Sequence, residues 1–426
     1  MIGKINTKGF NINGIIEQYT AGSSNVNAGD FVSFINGLAE RTAAQLYSGS
    51  DDSYLSAVAL GKNKVFIAYQ YNSYLRGIVC TIKRTTITVG TATTIAPYSY
   101  NLYISATALS DSKVFISYGQ YQSYSDLYGI VCTVNGSNIT VGNAIILDAA
   151  AGASGTYLYY STIAVALGSD KVLIIWGYNS SYHYLRGVVC TISGTTITKG
   201  TITSLSTVAN SGYGFMSAVA LNDNDVFIAH DYNGSNYYLY GLVCRINGTT
   251  ISVGTDTYLS TKGYIASATL LSPNKVFVAH RGDNNYLYGL VCLVNNMTIS
   301  PGTDTLLRNV NSFRLSPVTL NNNYVFIAHC PSDIGNLYYT TCAIDNTTIT
   351  TTTIAKQSDY SYFYGLSVVR YTDHNMIVIY ANSKLYGRLV GGYTIASTTS
   401  VDQDILGVAK TNAVAGATVD VYVPNI

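Results

Sequence analysis

Leu75-Arg76-Gly77-Ile78-Val79-Cys80 is an apolar word that returns six more times along the chain, with its echoes ending at Cys132, Cys190, Cys244, Cys292, Cys342 and Val390. The steps between those ends are 52, 58, 54, 48, 50 and 48 residues. A mean period of about 52 lies in the range of blade-type repeats. Upstream of each copy runs a second apolar stretch, such as Val65-Phe66-Ile67-Ala68, Val226-Phe227-Ile228-Ala229 and Val325-Phe326-Ile327-Ala328. A run of small residues precedes that stretch, as in Ser56-Ala57-Val58-Ala59-Leu60, and a Thr/Ile run follows the word, as in Thr85-Thr86-Ile87-Thr88-Val89-Gly90.

Each unit therefore reads as four short strands, rich in β-branched and aromatic residues and separated by Gly, Asn, Ser and Asp. Seven such units arranged radially predict an all-β fold, a seven-bladed β-propeller of four-stranded blades. Small residues suit the first strand at the crowded centre: Ser56, Ser105, Ser217, Ser267, Ser316 and Ser367. The next two strands lie between neighbouring blades, which explains continuous apolar runs in place of alternation. The glycine three residues before each word end, replaced by Tyr339 in one copy, is expected to permit a bulge or the close approach of a neighbouring backbone.

The repeat assigns residues 51–400 to the propeller, leaving 1–50 as an attachment and closure segment and 401–426 as a β segment that pairs with it. The termini are expected to form a small β end unit. Phe31-Val32-Ser33-Phe34-Ile35-Asn36-Gly37 resembles a blade's third strand and its turn.

Charged residues make up 11% of the chain and the net charge is +1, which removes the reason to expect a nucleic-acid partner. With no apolar run of about 18 residues, no membrane insertion is expected. The first residues do not read as a signal peptide, so synthesis and assembly are placed in the cytoplasm, with export by assembly into a particle. Six of the seven cysteines occupy one repeat position. Equivalent positions in adjacent sheets lie about 10 Å apart, beyond disulfide reach, so these thiols read as small buried hydrophobes. Cys330 is the odd one, able to meet Cys342 only if a hairpin brought them together.

The connections divide by face. Those between strands one and two, and between three and four, are short turns such as Gly61-Lys62-Asn63 and Asn247-Gly248. Those on the opposite face are longer and rich in Tyr, Asn, Ser and Gly, the composition of adaptable binding loops. Their rings and amides suit sugars. The ligand-binding candidates are Tyr71, Tyr74, Tyr121, Tyr124, Tyr182, Tyr184, Tyr232, Tyr237 and Tyr286, joined by Trp176, His230, His280 and His329 where the second strand reaches that face. The histidines fall in adjacent blades, about 10 Å apart, so no metal site and no cofactor is expected. Arg281-Gly282-Asp283 is read as a chance tripeptide.

Catalysis finds little support. Glycoside hydrolysis normally uses paired carboxylates, yet the glutamates are only Glu17 and Glu40, both outside the repeat. No phosphate loop or nucleophile elbow is present. Asp126, Asp231 and Asp283 across blades are the one assembly left open, and the chain is read as not an enzyme.

Ala28-Gly29-Asp30-Phe31-Val32, with Gly407-Val408-Ala409-Lys410-Thr411 and Thr418-Val419-Asp420-Val421-Tyr422-Val423-Pro424, resembles tail-fibre or receptor-binding proteins of phages and phage-tail-like bacteriocins of Gram-positive bacteria. That resemblance implies a virion tail or extracellular tail-like particle. It also implies a homo-oligomer in the particle, other tail or baseplate proteins as partners, and a bacterial surface polysaccharide or protein as receptor. It carries over no catalytic residues. A free lectin or glycan-cleaving propeller is the alternative, and a structural baseplate piece the second.

Overall fold

The computed structural model describes residues 14–20, 31–40, 43–48, 54–83, 86–97, 103–121, 125–149, 161–179, 183–207, 216–231, 238–261, 263, 265–282, 284–321, 323–330, 336–357, 365–372, 375–381, 384–397, 405–409 and 418–424. All regular structure among them is β, and among the described residues no helix is long and apolar enough to cross a membrane. Two units separate, residues 42–389 and the paired segments 1–41 and 390–426.

The larger unit is a seven-bladed β-propeller. Blade 1 is Leu55–Ala59, Lys64–Tyr71, Tyr74–Lys83 and a fourth strand in two pieces, Thr86–Val89 and Thr93–Ala96, both paired to the third. Blades 2 to 6 follow over 104–148, 162–206, 216–260, 266–308 and 314–357. Each inner strand lies against the next, and Gly365–Arg370 of blade 7 returns to Leu55–Ala59. Closure comes from upstream: Ala44–Tyr47 pairs with Leu385–Ser397 as outer strand of blade 7.

Second and third strands are buried on both faces because both faces meet a blade. Phe66 and Ala68 pack with Val114, Ile116, Tyr118 and Cys132 of blade 2, while Val65, Ile67 and Tyr69 on the alternate face pack with Ile377, Ile379 and Leu385 of blade 7. Blade pairs 2/3, 3/4, 4/5 and 5/6 repeat the arrangement. Each fully buried Phe, Ile or Leu contributes about 1.5–3 kcal/mol. All seven cysteines are free and buried. Cys330 and Cys342 sit at different registers, opposite Arg314 and Val325.

The inner serines do more than save space. An inner strand presents an unpaired backbone edge to the channel, and serine hydroxyls serve it across blade boundaries. Ala106 N–H donates to Ser56 Oγ at 3.0 Å, Ala164 to Ser105 at 3.0 Å, Ala268 to Ser217 at 2.9 Å and Val368 to Ser316 at 2.8 Å. Three junctions depart from this, among them 7/1, where Ser367 makes no such bond to blade 1. Ile163 stands where blade 3 would carry the serine, and Pro317 of blade 6 has no N–H to give Ser267. At the blade 5/6 junction Thr319 Oγ1 donates instead to Leu270 O at 2.6 Å.

The repeat glycine makes room for side chains, not for a neighbouring backbone. In six blades the fourth strand bulges and drives one apolar residue inward, namely Leu46, Ile95, Leu147, Leu205, Leu259 or Leu307, against that glycine. A Cβ on Gly77 would stand 2.7 Å from Ile95 and 3.0 Å from Phe66; on Gly187 it would stand 2.8 Å from Leu205. Blade 6 has no bulge at this point: Thr348–Gln357 runs on, Tyr339 pairs with Ala355, and the Tyr339 ring takes the vacated space 5.1 Å from Phe326. The tyrosine and the missing bulge are one substitution in two strands.

In the smaller unit Phe31–Glu40 pairs with Val390–Ser397 and with Ile405–Ala409, and Gly14–Thr20 pairs with Thr418–Pro424. Phe31–Glu40 is thus not a third strand with its turn.

Gly187→Ala is expected to destabilise the fold by about 1–3 kcal/mol, the usual cost of overpacking. Gly187→Ala/Leu205→Ala should then lose less than the two single changes summed. Thermal or urea unfolding of the four proteins checks this, and strict additivity would mean that the two side chains do not compete.

Candidate functional site

At the loop face the second and third strands carry a cross-strand pair, Tyr69↔Arg76, Tyr118↔Tyr128, Trp176↔Arg186, His230↔Tyr240, His280↔Tyr288 and His329↔Tyr338, and in blade 7 Tyr380 stacks on Tyr386. Five are ring stacks, with centroids 5.4 to 6.1 Å apart and planes 17° to 23° from parallel. The second-strand member is buried, and the third-strand member is half-exposed. In three blades an exposed apolar side chain on the fourth strand extends the stripe: Ile146 opposite Tyr128, Tyr258 opposite Tyr240, and Leu306 opposite Tyr288. Tyr258 meets Tyr238 and Tyr240 edge-on at 5.5 and 5.8 Å.

This arrangement corrects part of the expected site. Trp176, His230, His280 and His329 are 0–1% exposed, so they support the face from below without reaching its surface. Each is held by polar groups in an inter-blade crevice. Trp176 Nε1–H donates to Asp148 at 3.2 Å, and Arg186 lies 3.7 Å from the same carboxylate. His230 Nε2 meets Asp256 at 2.8 Å while Ser206 donates to its other oxygen at 2.8 Å; His280, Asp304 and Ser260 repeat this at 2.9 and 2.6 Å. The three residue types are those of a hydrolytic triad, but the order is wrong. The carboxylate sits between serine and histidine, so the hydroxyl meets the carboxylate and not the imidazole. His329 is held by Ser312 and Thr340 at 3.0 and 3.1 Å, and burial with the nearby Arg308 charge pushes its pKa down to about 3, leaving it neutral. Among the described residues no group of three or more potential metal ligands converges.

Of the loop tyrosines, Tyr71, Tyr74 and Tyr286 are half-buried at the face. Asn72 and Ser73, at φ 47° and 62°, make the two-residue turn joining Tyr71 to Tyr74. The Arg76 guanidinium lies 5.0 Å from the Tyr71 ring centroid and donates to Tyr47 Oη at 2.9 Å. Tyr286 N–H is accepted by Asn284 Oδ1 at 3.1 Å. Tyr121 ends the second strand of blade 2, paired to Ser125, and Tyr184 is the second residue of the third strand of blade 3, paired to Tyr178. Tyr124, Tyr182, Tyr232, Tyr237 and Asp283 lie outside the described residues. The third-strand rings were not among the expected residues, yet a signal existed: the residue before the repeat glycine is Arg76, Tyr128, Arg186, Tyr240, Tyr288 or Tyr386. The histidine partners were legible too, in Gly254-Thr255-Asp256-Thr257 and Gly302-Thr303-Asp304-Thr305.

A second concave feature lies at the start of the inner strands, on the same face, where Tyr54 O accepts from Gln70 N–H at 3.2 Å. The channel there holds a cavity of 340 Å³, lined among others by Tyr54, Tyr103, Ser161, Thr162, Arg314 and Gly365. Tyr54 and Tyr103 touch, with centroids 4.8 Å apart.

No protein-family model and no curated protein matches the sequence. Among solved structures, the chain is similar to the BP39L lectin from Burkholderia pseudomallei, with TM-score 0.59, 8% identity, and coverage of 81% of this chain and 97% of that one. It also aligns with AofleA from Arthrobotrys oligospora at TM-score 0.48 and 12% identity, covering 80% and 94%. With a Trypanosoma rangeli sialidase the TM-score is 0.45 and the identity 12%, and the chain covers 59% of that protein's length while 82% of this chain aligns. At these identities the likeness is one of fold.

Asp231 supplies a test of how dry the face is beneath its loops. It ends the second strand of blade 4, and burial pushes its carboxyl up to about 8, against about 3.9 in an unfolded chain. The folded state therefore keeps a proton that the unfolded state releases. Stability from this site is full below pH about 4 and declines until about 8. Asp231→Asn is expected to raise Tm clearly at pH 8.5 and much less at pH 5. Equal shifts at both values would mean that the carboxyl is ionised in the fold.

Proposed function

We propose that the protein binds carbohydrate through the loop face of its propeller, without chemistry on the ligand. The observation that carries this reading is the repeated half-exposed ring on the third strand, Tyr128, Tyr240, Tyr288, Tyr338 and Tyr386, each backed by a buried ring. Backing fixes the ring's orientation before a ligand arrives, which lowers the ordering cost of binding. A fixed aromatic plane takes the C–H patch of a sugar, and the Asn, Ser and Tyr groups of neighbouring loops take its hydroxyls. Several such places on one disc give avidity from weak single contacts. The fold neighbour with the higher TM-score is called a lectin, which agrees with this use of the scaffold.

The finer reading is a receptor-binding protein of a phage tail or tail-like particle, directed at a bacterial surface glycan or protein. Its support is the sequence resemblance at the two ends of the chain. A free lectin accounts for the loop face equally well, and copurification with tail components separates the two.

The test is binding of fluorescently labelled protein to whole bacteria and to an array of cell-wall and free glycans. It compares wild type with a variant carrying Tyr128→Ala, Tyr240→Ala, Tyr288→Ala and Tyr386→Ala, whose fold is checked by circular dichroism. Saturable glycan binding is expected, weakened at least about tenfold in the variant, since such rings contribute about 0.5–1.5 kcal/mol each. Unchanged binding by the folded variant would remove the site. Absence of wild-type binding across cells and array would leave a structural role.

A further inference from the structure

In a seven-fold repeat, a position that departs from its equivalents in charge calls for a reason. The first inner-strand position, two residues before the channel serine, carries Tyr54, Tyr103, Ser161, Ile265, Arg314 and Gly365 in blades 1, 2, 3, 5, 6 and 7. Arg314 alone in that set is charged. It lines the 340 Å³ channel cavity, and its guanidinium has no hydrogen-bond, ionic or ring partner among the described residues. No described lining residue is a carboxylate. Next to it, blade 7 has Gly365, which leaves space where other blades place a side chain.

We propose that the mouth of the central channel is a binding site for a single carboxylate carried on a sugar-sized, hydroxylated body, a sugar acid, with Arg314 as its anchor. A half-buried cation loses hydration and, among the described residues, gains no partner in return, so its use lies in what enters the cavity. A guanidinium presents two parallel N–H donors that match a carboxylate. The remaining lining fits a monosaccharide. Ser161 and Thr162 offer hydroxyls on the blade 3 side, Ser316 and Ser367 on the Arg314 side, and the Tyr54–Tyr103 pair offers aromatic surface. The volume falls at the lower end of the range for small-ligand sites. Thr162 is already committed to Ser117 at 3.0 Å and Ser316 accepts from Val368, so these groups are fixed in place before the ligand arrives.

The inference extends the carbohydrate reading to a second place with its own specificity. The loop rings and the channel can fail separately. The probes are glucuronate, its neutral methyl ester, glucose and inorganic phosphate, titrated into the full chain and followed by calorimetry and ligand-observed NMR. Glucuronate is expected to bind at least tenfold more tightly than ester or glucose, and more weakly as salt is raised. Arg314→Gln should abolish the preference for the acid, and Arg314→Lys should restore part of it. The four-tyrosine loop-face variant should keep glucuronate binding intact. Equal affinity for acid and ester, or an unchanged affinity in folded Arg314→Gln, would overturn the proposal. Phosphate binding as tight as glucuronate would overturn the sugar-acid assignment in favour of a bare anion site. Loss of glucuronate binding in the loop-face variant would place the ligand at the rim instead.

Discussion

Everything in the larger unit depends on burying both faces of the second and third strands. Val65-Phe66-Ile67-Ala68 sends alternate side chains into two different inter-blade cores, toward blade 7 and toward blade 2. A single blade would leave both faces wet, so no blade is stable without neighbours on each side, as in other repeat architectures. For that reason the chain must close on itself. Ala44–Tyr47, from ahead of blade 1, completes blade 7, so that the last inter-blade core is made from the two ends of the repeat. Leu46 fills the bulge position there, as Leu205 does within blade 3.

Closure also explains why polar chemistry gathers where it does. The cores are dry and fixed by the repeat, which leaves variation to the places where strands run out: the channel edge and the crevices under the loop face. At the channel edge the demand is for acceptors, met by serine from one blade to the next. Beneath the loops the demand is for partners to a buried ring nitrogen, met by Asp148, Asp256 and Asp304 from the fourth-strand segments. These bonds set the planes on which Tyr240 and Tyr288 lie. The surface rings are oriented from below, by residues that never touch solvent.

The architecture was legible because it rests on period and apolarity, which a sequence displays directly. Seven echoes of Leu75-Arg76-Gly77-Ile78-Val79-Cys80 suffice for seven blades. What escaped was pairing across distance. Tyr339 in place of glycine reads as a defect until Thr348–Gln357 is seen to lack the bulge that fills the same space elsewhere. Trp176, His230, His280 and His329 lie at the loop end of their strands, and sequence position alone does not tell a rim residue from one capped by its cross-strand neighbour. The two-piece fourth strand also escaped, since the change of register between Thr86–Val89 and Thr93–Ala96 is marked by a single glycine, Gly90, which reads equally well as the end of the strand.

Departures from the repeat differ in kind, and the difference separates repair from use. Pro317 removes a channel N–H and Thr319 supplies a bond nearby; Tyr339 removes a glycine and the bulge disappears with it. In each case the loss is answered within the same blade or the next. Arg314 is not answered in this way: its neighbour in blade 7 is Gly365, and no acid of the described channel lining faces it. A change that the fold compensates belongs to the fold. A buried-edge cation that has no partner among the described residues, open toward a cavity and with space beside it, is shaped to hold a ligand.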